Sequence, residues 1–181
     1  MERSSLLAEL ACAFAGVRRD PEQSIHQAQL CDRGMSSHPA TEAEWREGGE
    51  RDPHVHWSEV PGKSVDECDA ALAFFTPESW RFYLPAYLCR SLFHFSAPKF
   101  EKSMLSSILF QLTLQGTNDH YKRQRYTFLT QSQRDAVLHF LQIVEQEALA
   151  LIEASNSNWS IYDDVKNALQ SCWQTGNQTQ P

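Results

Sequence analysis

The sequence predicts an all-α protein, a single-domain irregular helical bundle with a long acidic loop segment. Three observations carry this: apolar residues recur at helical spacing in five stretches, helix-start signals precede several of them, and no sustained strand alternation or solenoid-period repeat occurs. At 181 residues the chain is long enough to bury a sizeable core without disulfide staples. One domain is expected over 1–174, with a disordered tail over 175–181.

Leu6, Leu10, Ala13, Phe14 and Val17 keep to one helical face, predicting a first helix that stops near Asp20 and Pro21. From 31 to 63 the composition changes. Gly34, Pro39, Gly48, Gly49, Pro53, Pro61 and Gly62 punctuate a polar stretch, which is expected to be a long loop. Between 41 and 69 there are nine acidic and three basic side chains, so much of the negative charge is concentrated there. Trp45 and Trp57 lie within this segment and are expected to anchor it to the body of the protein. Ser64 or Asp66 is a candidate cap for a short helix that turns Ala70, Ala71, Phe74 and Phe75 inward.

The clearest helix start is at Thr76, a good N-cap. Pro77 suits the first helical position, and Glu78 complements the positive end of the helix dipole. Trp80, Tyr83, Leu84, Tyr87 and Leu88 then form one apolar stripe. Pro85 interrupts it, since an interior proline costs roughly 3 kcal/mol and deprives the Arg81 carbonyl of its donor. The expectation is a kink, or a second helix with Pro85 at its first position. After Pro98, Phe100, Met104, Leu105, Ile108, Leu109 and Leu112 predict another helix, followed by a loop over 116–119. Thr130 with Gln133 forms a capping box that opens the stripe Val137, Phe140, Leu141, Val144, Ala148, Leu151 and Ile152. Ser160 can cap a last helix bearing Ile161, Val165, Leu169 and Cys172.

Hydrophobic residues are 41% and charged residues 22%, values of a soluble globular protein, and no run approaches a membrane span. The side chains of Met1, Glu2 and Arg3 carry no net positive charge, and Glu9 interrupts the apolar stretch behind them. A secretory leader is therefore not expected and the cytoplasm is. Five scattered cysteines without a C-x-x-C pair suit free thiols in a reducing compartment, and the sequons at Asn158 and Asn177 are read as chance matches. A net charge of −7 argues against nucleic acid and favours a basic partner. The basic run Lys122, Arg123 and Arg125 is read as a solvated helix face or turn.

His54 and His56 are the one close histidine pair, and on a strand both rings would share a face, as metal ligands can. Asp52, Glu59, Asp66, Cys68 or Asp69 could complete a set, but no spacing matches a familiar one, so ordinary loop histidines are the expectation and no cofactor is. Cys89 and His94 differ by about 140° around a helix and would face apart, which disfavours a thiol–imidazole nucleophile. Asp163 and Asp164 belong in a helix first turn rather than in a catalytic pair. Neither common phosphate-cradling glycine pattern occurs. Eight of the twenty aromatic residues lie between 74 and 95, and core packing is expected there over a ligand pocket in which Arg81 or Arg90 binds an anion.

The run from Phe75, Thr76, Pro77 and Glu78 to Arg81, Phe82, Tyr83, Leu84, Pro85, Ala86, Tyr87 and Leu88 resembles a family of small bacterial proteins classed as a domain of unknown function, with the pattern F-x-T-P-E-x-x-R-x-Y-L-P-A-x-L. The similarity extends to Trp57 upstream and to Phe128, Leu129, Thr130, Val137, Phe140 and Leu141 downstream, about 55–145. It implies no activity, cofactor or catalytic residue. It also resembles small bacterial immunity or accessory proteins that bind a protein toxin. The expected function is a protein-interaction module whose Glu42, Glu44, Glu47 and Glu50 face a basic protein partner. The alternative is a metal- or small-ligand-binding enzyme using His54 and His56, or the aromatic segment around Arg81.

Overall fold

The computed structural model describes residues 3–35, 38–94, 102–114, 120–155 and 160–173. Among them lie nine α-helices and no strand: α1 (Arg3–Ala13), α2 (Ile25–Met35), α3 (Glu42–Glu50), α4 (Gly62–Glu67), α5 (Pro77–His94), α6 (Lys102–Leu112), α7 (His120–Phe128), α8 (Gln131–Ser155) and α9 (Ser160–Ala168). Short 3-10 turns occupy Trp57–Glu59 and Ala71–Ala73, and a π-helical turn spans Leu169–Trp173. The expected loop over 116–119 and the tail over 175–181 lie outside the described residues, as do the side chains of His94 and Cys172.

Helix α5 is the hub. It touches α1, α4, α6, α7 and both 3-10 turns, while α8 packs on α1 and α9, and α2 packs on α3 and α4. Every residue from 82 to 88 is buried, so the helix is enclosed on all sides and not only along the expected stripe. It runs unbroken through Pro85, which removes the possibility of a second helix starting there. Packing around the whole circumference offsets the hydrogen bond that the Arg81 carbonyl cannot receive from a proline.

The cap at Thr76 forms as its sequence predicts: its Oγ1 accepts from the Ser79 N–H at 3.2 Å. The same hydroxyl donates to Asp20 Oδ2 at 3.1 Å, and the Thr76 N–H donates to Gln23 Oε1 at 2.7 Å. The first turn of α5 is thereby tied to the end of the α1–α2 connection. At the start of α8, Thr130 and Gln133 exchange bonds of 3.0 and 3.3 Å, completing the capping box. The amide of Gln133 reaches further. Its Oε1 accepts from Arg81 Nε at 2.9 Å, and its Nε2 donates to the Ala13 carbonyl at 3.0 Å, so one buried glutamine joins α1, α5 and α8.

Three expectations change. The 31–63 segment is not one long loop: it holds the end of α2, all of α3, a 3-10 turn and the start of α4. Ser64 and Asp66 do not cap a helix but lie inside α4, whose N-cap is Pro61. Arg125, read as part of a solvated face, is 1% exposed. It donates to the carbonyls of Ala73 and Phe75 and to Gln111 Oε1, with its guanidinium 4.1 Å from the Tyr121 ring centroid. A polar-looking helix thus delivers its charge to the core, where carbonyl oxygens and an aromatic face replace water.

Candidate functional site

The acidic segment gains its shape from the start of α2. Ser24 and Gln27 form a capping box: the Ser24 N–H donates to Gln27 Oε1 at 2.7 Å, and the Gln27 N–H donates to Ser24 Oγ at 3.2 Å. Both side chains also hold α3, for Ser24 Oγ donates to the Gly48 carbonyl at 2.8 Å and Gln27 Nε2 to the Trp45 carbonyl at 2.9 Å. Gly48 permits this approach, since a Cβ there would meet Gln27 Cγ at 3.3 Å. Beneath the contact lies Asp52, fully buried. Its Oδ2 accepts from the Ile25 N–H at 2.9 Å and from the Tyr83 hydroxyl. A carboxylate at the positive end of α2 is favoured by the helix dipole, and Tyr83 links it to the central helix.

The other end of α3 is fixed by a second capping box, Thr41 with Glu44. Glu44 also pairs with Arg33 of α2 at 2.7 Å. The Thr41 backbone N–H, then the Arg33 guanidinium and the Thr41 hydroxyl, hold the Glu44 carboxyl down at about 2. The four predicted glutamates therefore do two jobs. Glu42, Glu47 and Glu50 stand exposed on one rigid helix, whereas Glu44 is engaged by the fold.

Between α2, α3 and α4 the clamp leaves a cleft of about 270 Å³. His26, Gln29 and Cys68 line it, with Glu44, Glu47 and Glu67 around it. Burial, then the nearby Arg51, lowers the pKa of His26, so its ring is neutral at neutral pH. Burial raises the Cys68 thiol to about 12, which leaves it protonated and unreactive.

The other candidates are placed as follows. His54 Nε2 lies 3.6 Å from Asp52 Oδ1, and His56 is exposed with its backbone N–H donating to Glu59 Oε2 at 3.1 Å. The strand that would align the two rings is not formed, and among the described residues no group of three or more His, Cys, Asp or Glu is placed to hold a metal ion. Trp80, Tyr83 and Leu84 lie in the core, where Phe75 stacks on Tyr83 at 4.8 Å between centroids and Phe82 meets Tyr83 edge-on. Arg81 is held by Gln133 and lies over the Phe128 ring, while Arg90 forms a two-pronged pair with Asp66. Burial raises the Cys89 thiol to about 11.

Sequence reasoning passed over Ser24, His26 and Gln27. The pattern S-x-x-Q at 24–27 was the available signal, the same kind that located α8.

A family profile described as a family of unknown function (DUF6714) matches residues 2–176. The likeness thus extends well beyond the span of about 55–145 that the aromatic motif suggested. Comparisons with curated proteins and with solved structures gave no match. Among the described residues, no helix is long and apolar enough to cross a membrane.

Proposed function

We propose, for a chain that belongs to the DUF6714 family, that it is a protein-interaction module of immunity-like or accessory type. It works in the bacterial cytoplasm, and the outer face of α3 receives a basic protein partner. The observation that carries this reading is the clamping of α3: a short helix with two glycines and few aliphatics is held at both ends by capping boxes and cross-helix bonds, with Glu42, Glu47 and Glu50 turned outward. Carboxylates on a fixed backbone present a charge pattern without the ordering cost of a mobile loop. The free Cys12, Cys31, Cys68 and Cys89 suit a reducing compartment.

Complementary charge of this kind acts chiefly on the rate of encounter. The test is association with a basic protein encoded by a neighbouring gene, followed across a salt series with wild type and with the Glu42→Gln/Glu47→Gln/Glu50→Gln variant. Glu44 is left alone because its replacement would disturb the cap. The variant should associate about tenfold more slowly at low ionic strength, and the two proteins should converge once the screening length falls to about 3 Å near 1 M salt. Equal rates and equal salt slopes would remove α3 from the binding surface.

A further inference from the structure

We infer that the cleft between α2, α3 and α4 receives an arginine side chain of the basic partner. This rests on the reading of α3 as the docking face and names what that face grips. At about 270 Å³ the cleft falls just below the range of roughly 300–1,000 Å³ typical of small-molecule pockets. That size suits one long side chain.

The unmet groups in the cleft select its chemistry. His26 is 7% exposed, and both of its ring nitrogens are buried without a hydrogen-bond partner. Gln29 Oε1 is likewise buried and unpartnered. Native proteins seldom leave such groups unsatisfied unless something else completes them. At the rim, the Glu47 carboxylate has no ion-pair partner among the described residues, whereas Glu44 is paired with Arg33 and Glu67 with Arg51 at 3.4 Å. Glu67 also meets Lys63 at 3.5 Å, so Glu47 is the one carboxylate of the rim whose charge is unmatched among the described residues.

Apart from the one N–H of the neutral His26 ring, the open positions are acceptors: an amide oxygen, a carboxylate and the other imidazole nitrogen. A donor-only cation completes them. His26 and Gln29 lie on α2 while Glu47 lies on α3, so the acceptors occupy two walls. The planar fork of a guanidinium, with five donors, can bridge two walls, whereas an ammonium group concentrates its charge at one point. The resident pairs Arg33–Glu44 and Arg51–Glu67 already use guanidinium–carboxylate contacts to join α2 to α3 and the end of α3 to α4.

The test is a titration of the full chain with acetyl-Gly-Arg-Gly-amide and with acetyl-Gly-Lys-Gly-amide, read by the imidazole nitrogen and proton resonances of His26. The arginine peptide should shift them saturably, and the lysine peptide should require several-fold higher concentration. Glu47→Gln and Gln29→Leu lie at the rim and wall, and each should weaken the arginine peptide about fivefold or more while leaving the far-ultraviolet dichroism unchanged. An arginine peptide that perturbs only the exposed glutamates of α3, with His26 unmoved, would overturn the cleft and leave the docking face standing. If neither peptide perturbs α3 or His26, and α3 also proves irrelevant to association with the basic protein, both readings fall.

Discussion

Asp52 shows how much one side chain decides. It receives the first N–H of α2 and the hydroxyl of Tyr83, so it joins the acidic region to the central helix from a position with no solvent exposure. Burial, together with the adjacent Asp52 carboxylate, raises the pKa of Tyr83, and the phenol therefore remains a donor across the physiological range. Tyr83→Phe keeps the stacked ring but leaves one buried acceptor short of a partner. We expect a loss of about 1–3 kcal/mol in urea unfolding. A variant as stable as wild type would show that the hydroxyl contributes nothing. Sequence alone could not expose this pair, because Tyr83 is also a core aromatic and its helical spacing accounts for it completely. Asp52 sits in a segment whose composition reads as loop, and its partners are distant in sequence.

At the scale of the element, each of the five apolar stripes falls on a helix, whereas capping succeeds at Thr76 and Thr130 and fails at Ser64 and Asp66. Thr76 and the Thr130–Gln133 pair both open helices where the sequence indicates. Helix α2 escaped because its buried residues, Ile25, His26, Gln27 and Ala28, all lie in the first turn and make no stripe. Helix α3 escaped for another reason: Gly48 and Gly49 read as loop punctuation, yet here Gly48 lets the helix approach Gln27 closely. The cap of α3 also has a measurable titration. The Glu44 carboxyl falls from an ordinary 4.5 to about 2 on folding, so its contribution is complete above pH 4.5 and disappears as pH drops through 2. Wild type should therefore be more stable than Glu44→Gln at pH 6, and the difference should shrink steadily below pH 4.5. A difference that grows on acidification would refute the cap as its source.

For the whole molecule, the all-α class followed from the sequence, and the aromatic run proved to be its centre. What the run did not disclose is that α5 is enclosed from every side, because a stripe read from one helix carries no information on how many neighbours it meets. Leu84 has no exposure, and Leu84→Ala should cost about 2–5 kcal/mol by calorimetry or urea unfolding. Retained stability together with loss of a bound small molecule would instead mark a ligand pocket. The pairing of α1 with α8 has a consequence in time. Arg3 bonds Glu147, Glu9 meets His139, and the Ala13 carbonyl is closed by Gln133, so each contact joins positions at least 120 residues apart. A ribosome adding about 5–20 residues per second takes roughly 6–24 s to cover that distance. Throughout that interval Leu6, Leu10 and Phe14 lack helix α8, which packs on α1. The nascent chain thus carries an adhesive end until α8 has been made, and it is in that interval that a chaperone has most to do for this protein.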